Sequence, residues 1–481
     1  MTAHADDRCF LSIAEAGRRL RDGALSPIAL TEAVLERIAR HDATMRAYIT
    51  VTGDVALEQA RQAELELRRG HDRGPLHGIP ISLKDNVATR SIRTSCASLV
   101  DPDWVPDVDA TVYTRLREAG AILMGKANLF EYAFSMSPAF PPPLNPWNPE
   151  RTSSGSSSGS AVSVATGMAF GSIGTDTGGS GRSPANVNGV VGVKGTYGRV
   201  SLAGVVPLSY SLDHTTVMAR SVRDGALMLQ AVAGHDPADE SSSRRPVPDF
   251  SARLGESIRG LRVGRARGYS DEGIDPEVTR IVDTALDVLR DLGATIEDVD
   301  LPYVRRCSAL QTAILHPEAA TVHHDALRRA ADRFGETAIM RLDLGNVVPA
   351  TAYVQAQRVR RLMRDAFRDL LARVEVIVGP ALAMCAGRAG TWTTTVGGRE
   401  IDLRKAGPEY TGIYNLSGMP ALVLPAGFDG GGTPVGLQVA GRWFDEARVF
   451  QVAHAYEQAT DWHRRRPPLP DRAPEHRSET A

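Results

Sequence analysis

The chain of 481 residues has room for one large or two to three ordinary domains, and its 42% hydrophobic and 23% charged residues are typical of a soluble protein. A formal net charge of −2 gives no broad basic field, which argues against nucleic acid or an anionic membrane as a partner. The four cysteines form no Cys-x-x-Cys pair, which excludes a thiolate zinc site. Without a signal-peptide pattern or a membrane-spanning apolar stretch, the sequence predicts a cytoplasmic protein.

Caps and periodicity predict helices at the start of the chain. Ser12 and Glu15 form a capping-box pattern that opens a helix toward Arg21. The pair Ser26-Pro27 combines an N-cap with proline at the first helical position, and a third helix is expected over 55–69. Residues 77–84 then have the pattern of a short buried strand that ends at a lysine.

Strands and helices alternate along the rest of the chain. The predicted strands are 121–124, 170–174, 374–378, 421–424 and 436–439, and the predicted helices are 111–118, 277–292, 350–371 and 445–458. This alternation predicts a layered α/β sheet. Because no Pro/Gly/Ser-rich gap separates two cores, we expect a single domain over 1–463. The tail, 464–481, has almost nothing to bury and is predicted to be disordered.

The segment from Arg151 to Ser201 is a block of Gly, Ser and Thr. Two short apolar runs, 161–165 and 168–173, interrupt it, whereas a flexible linker of this composition would be polar throughout. We therefore place the glycines inside a packed domain, where the backbone must approach another group closely. This pattern is typical of an active site.

Lysine is rare in this chain, and its positions are informative. The cations are almost all arginine, with lysine only at Lys84, Lys126, Lys194 and Lys405. A buried lysine can lose its proton near neutral pH, whereas arginine cannot. Lys84 ends the predicted buried strand, so burial is expected to lower its pKa from about 10.4 by roughly 3 units, as a base at neutral pH requires. No histidine is as well placed for that role.

A series of motifs resembles those of the amidase signature family, in order and in spacing. They are GIPISLKDN at 78–86, NPWNP at 145–149, GSSSGSA at 155–161, GTDTGGS at 174–180 and GVKGTYG at 192–198. Further similar segments lie at 207–214, 218–221, 415–421 and 434–442. The resemblance covers about 11–460, with its core at about 78–201. It implies a central mixed β-sheet flanked by helices on both faces.

The resemblance also implies a Ser-Ser-Lys triad. Ser180 matches the family's nucleophile, Ser156 the bridging serine and Lys84 the base. Lys84 would accept a proton from Ser156 while Ser156 accepts one from Ser180, and an acyl-enzyme would form on Ser180. The peptide bond between Gly155 and Ser156 is expected to be cis, as in the family.

The resemblance implies the oxyanion hole, and the residues around the triad suggest further site residues. Backbone N–H groups would form the oxyanion hole at Thr177, Gly178, Gly179 and Ser180. Asp176 and Arg182 are interpreted as an ion pair that holds this loop. Candidate substrate-binding residues are Met136, Phe140, Cys96 and Met384. Neither a metal nor an organic cofactor is expected.

The substrate is the least determined part of the prediction. The segment 134–144 departs from the family pattern, and Met384-Cys385 is apolar, so we expect a free-standing hydrolase of an aryl or aliphatic amide, a carbamate or an ester. Its partners would be that small molecule and water, with no nucleic acid and no membrane; a homodimer is left open. The alternative is the A subunit of a tRNA-dependent amidotransferase, which hydrolyses glutamine only within a complex.

A different enzyme class shares one of these patterns. Residues 155–159 satisfy the G-x-S-x-G nucleophile elbow of α/β-hydrolases, which would make Ser157 the nucleophile, with His454 as a candidate base. An elbow needs a strand directly before the serine, and the proline-containing segment 145–153 disfavours one. This interpretation is therefore the less favoured.

Overall fold

The structure is a computed structural model that describes residues 7–269, 274–391, 393–396, 399–402 and 407–469. Lys405 and positions 470–481 of the tail predicted to be disordered lie outside the described residues. The first part of that tail, 464–469, is described: Arg464 ends a 3₁₀ turn that begins at Trp462, and Leu469 packs against the main hydrophobic core.

The helices begin where the sequence places their caps. The Ser12 hydroxyl accepts a hydrogen bond from the Glu15 amide at 3.0 Å, and the Ser26 hydroxyl accepts one from the Ala29 amide at 3.2 Å. The α-helices are α1 (Ile13–Arg21), α2 (Pro27–Met45), α3 (Gly53–Arg68), α4 (Thr111–Glu118), α5 (Ser158–Ala165), α6 (Arg182–Asn188), α7 (Val222–Val232), α8 (Pro276–Asp291), α9 (Cys307–Val322), α10 (His324–Ala330), α11 (Glu336–Val347), α12 (Ala350–Arg373), α13 (Ile413–Ser417) and α14 (Glu446–Gln458). In the described part of the chain, no helix is both long enough and apolar enough to cross a bilayer.

The strands form one large mixed sheet and a separate two-stranded sheet. They are β1 (Tyr48–Val51), β2 (Pro80–Lys84), β3 (Ile122–Ala127), β4 (Gly171–Thr175), β5 (Val191–Lys194), β6 (Thr215–Ala219), β7 (Arg262–Arg267), β8 (Thr295–Asp300), β9 (Val376–Pro380), β10 (Thr393–Val396), β11 (Arg399–Asp402), β12 (Ala421–Phe428) and β13 (Pro434–Gly441). The order in the sheet is β1-β3-β2-β4-β6-β5-β12-β13-β9-β7-β8, and β10 pairs with β11. The strand β2 is parallel to β3 and β4, whereas β6, β5, β12 and β13 pair antiparallel.

Helices cover both faces of the sheet, as expected. Successive strand residues point to opposite faces, and β9 shows the two environments. Val376 and Val378 belong to a core that includes residues of α7, α8 and α14, whereas Ile377 belongs to a second core with residues of α9, α11 and α12. The predicted α/β class with a central mixed sheet is confirmed.

Five strands of the sheet were not predicted, because their sequences lack a strand pattern. The strand β8 reads TIEDVD and is mostly exposed, and β7 carries three arginines in six residues. The strands β1 and β5 have only four residues each, and β5 lies inside the Gly/Ser/Thr block. The strand β6 reads TTVMA and has only five residues. These five segments therefore form strands because they pair with neighbouring strands, and not because of their local sequence.

The sheet brings two functional segments to one edge. Leu83 of β2 lies opposite Ile173 of the parallel β4, so the carboxyl ends of both strands meet at the same place. The helix α5 begins beside that edge, and the Gly159 amide in its first turn donates a hydrogen bond to the Asn128 carbonyl at 2.9 Å. A Cβ at Gly159 would lie 2.4 Å from the Ala47 carbonyl oxygen and from the Asn128 amide nitrogen. This contact fixes the start of α5.

We expect Gly159→Ala to destabilise the protein. The added methyl group meets backbone atoms that cannot yield, and overpacking of this kind costs about 1–3 kcal/mol, which exceeds the gain of at most about 1 kcal/mol that alanine brings to a helix. The matched control is Gly53→Ala at the start of α3, where the new Cβ would lie 3.7 Å from a Leu35 methyl group, an ordinary contact. Urea unfolding should show a lower free energy only for Gly159→Ala; equal values for both variants would contradict this packing.

Candidate active site

Lys84 lies at the end of β2 and is fully buried. Its Nζ donates hydrogen bonds of 2.7 Å to the Ser156 hydroxyl and of 2.7 Å to the Thr175 hydroxyl. Burial lowers the pKa of this amine from 10.5 to about 7, against the attraction of Asp213 and Asp176. Both the protonated and the neutral lysine are therefore accessible near neutral pH, as base chemistry requires.

Ser156 and Ser180 lie at the walls of two adjoining cavities. The peptide bond between Gly155 and Ser156 is cis, as expected. Ser180 lines both a cavity of about 440 Å³ and a smaller one of about 200 Å³, and Ser156 lines the smaller one. The two serines of the predicted triad thus share one cavity, and one of them contacts the buried lysine.

A buried ion pair holds the loop that carries Ser180. The Arg182 Nε lies 2.9 Å from the Asp176 carboxylate, and both side chains are fully buried. Burial alone would raise the pKa of Asp176, but the Arg182 guanidinium outweighs it and holds that pKa well below its usual range. The same guanidinium donates to the Gln438 side chain at 2.8 Å and to the Asn415 side chain at 2.7 Å. The predicted ion pair between Asp176 and Arg182 is present, and its role as a support for the loop stays a prediction.

One of the four predicted oxyanion-hole donors is already hydrogen-bonded within the protein. The Gly179 amide donates to the Asp176 carboxylate at 2.7 Å, so it is already engaged. Among the described residues, no acceptor lies in hydrogen-bond range of the amides at Thr177, Gly178 and Ser180. Those three amides remain the candidates for stabilising an oxyanion.

A glutamine side chain from α9 packs on this loop. The Gln311 Nε2 lies 1.9 Å from where a Cβ at Gly178 would be, and its Oε1 lies 2.7 Å from the corresponding point at Gly412. Gln311 is buried, and its Oε1 has no hydrogen-bond partner among the described residues. The carboxamide therefore fills the space that two missing side chains leave open.

The four candidate substrate-binding residues separate into two pairs. Met136 and Met384 line the larger cavity beside Ser180. Phe140 and Cys96 do not line it; Cys96 is buried with its pKa raised by desolvation. The physical reason is that Cys96 lies against Asp85 behind the triad, where its amide donates to the Asp85 carbonyl.

Ser157 has no access to either cavity. It is fully buried, and its hydroxyl donates to the Thr175 carbonyl at 3.0 Å while it accepts from the Thr175 amide at 3.2 Å. The residues directly before it form two isolated bridges, at Arg151 and Thr152, and no strand. The α/β-hydrolase alternative with Ser157 and His454 finds no support in this geometry.

Two residues of the site were missed from the sequence. Thr175 accepts a hydrogen bond from Lys84, and the Asn415 side chain donates to the Asp176 carboxylate at 2.8 Å. Thr175 ends a strand parallel to that of Lys84, so a correct pairing of these two strands would have found it. Asn415 opens one of the segments that resemble the family, which was the available signal.

Lys84 makes the stability of the protein depend on pH. The unfolded chain keeps this proton up to about pH 10.5 and the folded chain loses it above about pH 7, so the unfolded state binds more protons between those values. Stability therefore rises with pH through that window. Relative to Lys84→Met, the wild type should gain free energy of unfolding from pH 7 to pH 9.5 in urea titrations; a constant difference would show that Lys84 is charged in the fold.

Named relatives cover nearly the whole chain. The A subunit of the glutamyl-tRNA(Gln) amidotransferase of Carboxydothermus hydrogenoformans is 37% identical, over 96% of this chain and 99% of that protein. The solved structure of the protein of the same name from Thermotoga maritima is 31% identical with a TM-score of 0.79, over 94% of this chain and 95% of that one. A structure described as a vestigial protein complex that reveals the origins of an s-triazine catabolic enzyme has a TM-score of 0.89 at 29% identity, over 93% and 98% of the two chains.

These relatives overturn two predictions. The expectation of a free-standing hydrolase of aryl or aliphatic amides is wrong, because the relatives are named as subunits of an amidotransferase. The expectation of no nucleic-acid partner is also wrong, since that name includes a tRNA. Both rested on weak physical grounds: pocket composition was judged from a short segment, and the net charge of −2 describes one polypeptide and not an assembly.

A family model described as Amidase matches residues 29–450, which is most of the chain. Its match spans the lysine of β2, the serine before α5 and the loop that follows β4. The chain therefore belongs to the amidase signature family, whose members hydrolyse carbon–nitrogen bonds.

Proposed function

We propose that this chain is the amidase component of a glutamyl-tRNA(Gln) amidotransferase and hydrolyses the side-chain carboxamide of glutamine. The observation that carries the proposal is the match over 96% of the chain to relatives of that name. The contact between Lys84 and Ser156 beside the cavities of Ser180 supports it, because hydrolysis of an amide needs an activated nucleophile.

Acylation begins with neutral Lys84. Its amine takes the Ser156 proton, Ser156 takes the Ser180 proton, and the Ser180 oxygen attacks the carboxamide carbon. The amides of Thr177, Gly178 and Ser180 stabilise the oxyanion, and each such donor is worth about 3–4 kcal/mol in the transition state. When the C–N bond breaks, the relayed proton returns through Ser156 to the nitrogen, which leaves as ammonia.

Deacylation repeats the same relay with water. Ser156 and Lys84 remove a proton from water, the hydroxide attacks the ester on Ser180, and glutamate leaves as the Ser180 hydroxyl reforms. A lysine pKa of about 7 suits both half-reactions, because the same group must take up and release a proton in each turnover.

In this proposal, the role of the chain is to release ammonia from glutamine within an assembly that acts on the tRNA named in its relatives.

The test is ammonia release from glutamine by the chain purified together with its co-expressed partner subunits. We expect Ser180→Ala to lower the rate at least about a thousandfold, because the nucleophile is lost. The same complex should still amidate glutamyl-tRNA(Gln) when ammonium chloride replaces glutamine. The control Ser157→Ala should retain measurable activity, since Ser157 only supports the loop. A complex that leaves glutamine intact would refute the proposal.

The pH profile of kcat/KM is a second test. Lys84 must be unprotonated to act, so the rate should rise about tenfold per pH unit below about 7 and level off above it. Initial rates of ammonia release from pH 5 to pH 9 measure this. A profile that is flat across this range, or that falls above pH 7, would contradict a lysine base.

A further inference from the structure

A turn of π-helix lies beside the loop that carries Ser180. It covers Pro408–Gly412 and leads directly into α13. Single π-helical turns are rare and occur frequently at functional sites. The side chain of Thr411 in this turn is fully buried and lines the larger cavity. The turn therefore brings a hydroxyl group to the site from a part of the chain far from the Gly/Ser/Thr block.

The Thr411 hydroxyl holds one end of the peptide group between Gly178 and Gly179. It donates a hydrogen bond of 2.8 Å to the Gly178 carbonyl. Its other acceptor among the described residues, the Gly407 carbonyl, is farther away at 3.2 Å. Because a hydroxyl group has a single proton, the shorter of the two contacts is favoured. The Gly178 carbonyl is therefore tied to the π-helical turn.

The other end of the same peptide group is tied to the buried ion pair. The Gly179 amide donates to the Asp176 carboxylate at 2.7 Å. A trans peptide group is planar, and its C=O and N–H point in opposite directions, so hydrogen bonds at both ends prevent its rotation. The two residues that it joins are glycines, whose backbone dihedrals are the least restricted. Both hydrogen bonds are therefore needed to fix this peptide group.

The N–H groups of Gly178 and Ser180 belong to the two neighbouring peptide groups. Neither has an acceptor among the described residues, so both are free to stabilise an oxyanion. Such donors contribute most when their direction is set before the charge develops. Rotation of the peptide group between them would turn both donors, because it changes the backbone dihedrals of Gly178 and Gly179. The contact from Thr411 therefore bears on the direction of two candidate donors.

The ion pair also anchors the turn that carries Thr411. The Thr411 carbonyl accepts a hydrogen bond of 3.0 Å from the Arg182 guanidinium. Four residues further on, the Asn415 side chain donates to the Asp176 carboxylate at 2.8 Å. The π-helical turn and α13 are thus bound to both members of the ion pair, and this fixes the place from which the hydroxyl donates.

We propose that Thr411 is a positioning residue for the oxyanion hole. Its hydroxyl fixes the direction of the Gly178 and Ser180 N–H groups through the peptide group that lies between them. Because the negative charge on oxygen develops only in the transition state, the hydroxyl contributes to kcat and little to substrate binding. The inference rests on the proposed function only in that Ser180 is the nucleophile, and it holds for any amide that Ser180 attacks.

The test removes the hydroxyl and keeps the shape of the side chain. In the complex with co-expressed partner subunits, Thr411→Val should lower kcat for ammonia release from glutamine roughly tenfold to a hundredfold, with KM changed by less than about twofold. Deletion of a donor costs about a hundredfold to a thousandfold, and misdirection of the same donors should cost less. Thr411→Ser keeps the hydroxyl and should stay within about threefold of the wild type.

Modification by a fluorophosphonate measures the same effect without an amide. The Ser180 oxygen attacks phosphorus, fluoride leaves, and the phosphonyl oxygen takes the position of the oxyanion. The rate of modification, followed by intact mass, should fall in Thr411→Val and recover in Thr411→Ser. The matched control is Thr284→Val on α8, where the hydroxyl donates to the Arg280 carbonyl of its own helix at 2.9 Å. It should leave kcat and the rate of modification unaffected.

An unchanged kcat and modification rate in Thr411→Val, a loss confined to KM, or an equal loss in Thr411→Ser would each overturn the inference. If Thr411→Val does not fold, Thr411→Ala takes its place; failure of both to fold would also overturn it, because the hydroxyl would then serve the fold. Slower modification of Thr411→Val in a complex that leaves glutamine intact removes only the proposed function. Glutaminase activity with an unchanged kcat in that variant removes only this inference.

Discussion

The buried ion pair between Asp176 and Arg182 is the interaction on which the site depends. It ties the loop after β4 to α6, and through Gln438 and Asn415 it reaches β13 and α13. Removal of one partner from such a pair typically costs about 3–5 kcal/mol, because the other charge is left buried and alone. The loop that carries Ser180 is therefore held by a network that reaches β13 and α13.

Arg182 and Lys84, two buried cations near the carboxyl ends of β4 and β2, differ in their surroundings. This difference suits them to different roles. Arg182 has a carboxylate at 2.9 Å and remains a permanent charge that fixes geometry. Among the described residues, Lys84 has only hydroxyl groups within hydrogen-bond distance, so desolvation dominates and lowers its pKa. The counterion beside Arg182 suits that side chain to a structural role, and the lack of one beside Lys84 suits that side chain to proton transfer.

Much of the candidate site could be predicted from the sequence, because its parts lie in short segments. The lysine that ends β2 and the Asp176–Arg182 pair follow from the residues themselves, whereas the two serines follow from motifs that resemble the amidase signature family. What escaped prediction depends on contacts between distant segments: Thr175 meets Lys84 only through strand pairing, and the Gly179 amide is occupied only because the Asp176 side chain folds back onto it. The substrate and the partners were predicted wrongly for a different reason, because they depend on the assembly and not on one pattern of residues in this chain.

The Gln311 carboxamide, lodged where Gly178 and Gly412 lack side chains, makes α9 part of the active-site loop. A methyl group added at either glycine would displace this carboxamide. The helix α9 also packs on α11 and α12, so one helix contacts both the loop of Ser180 and the outer helices. A substitution that shifts α11 or α12 can therefore reach the loop of Ser180 through α9, although it lies far from the cavity.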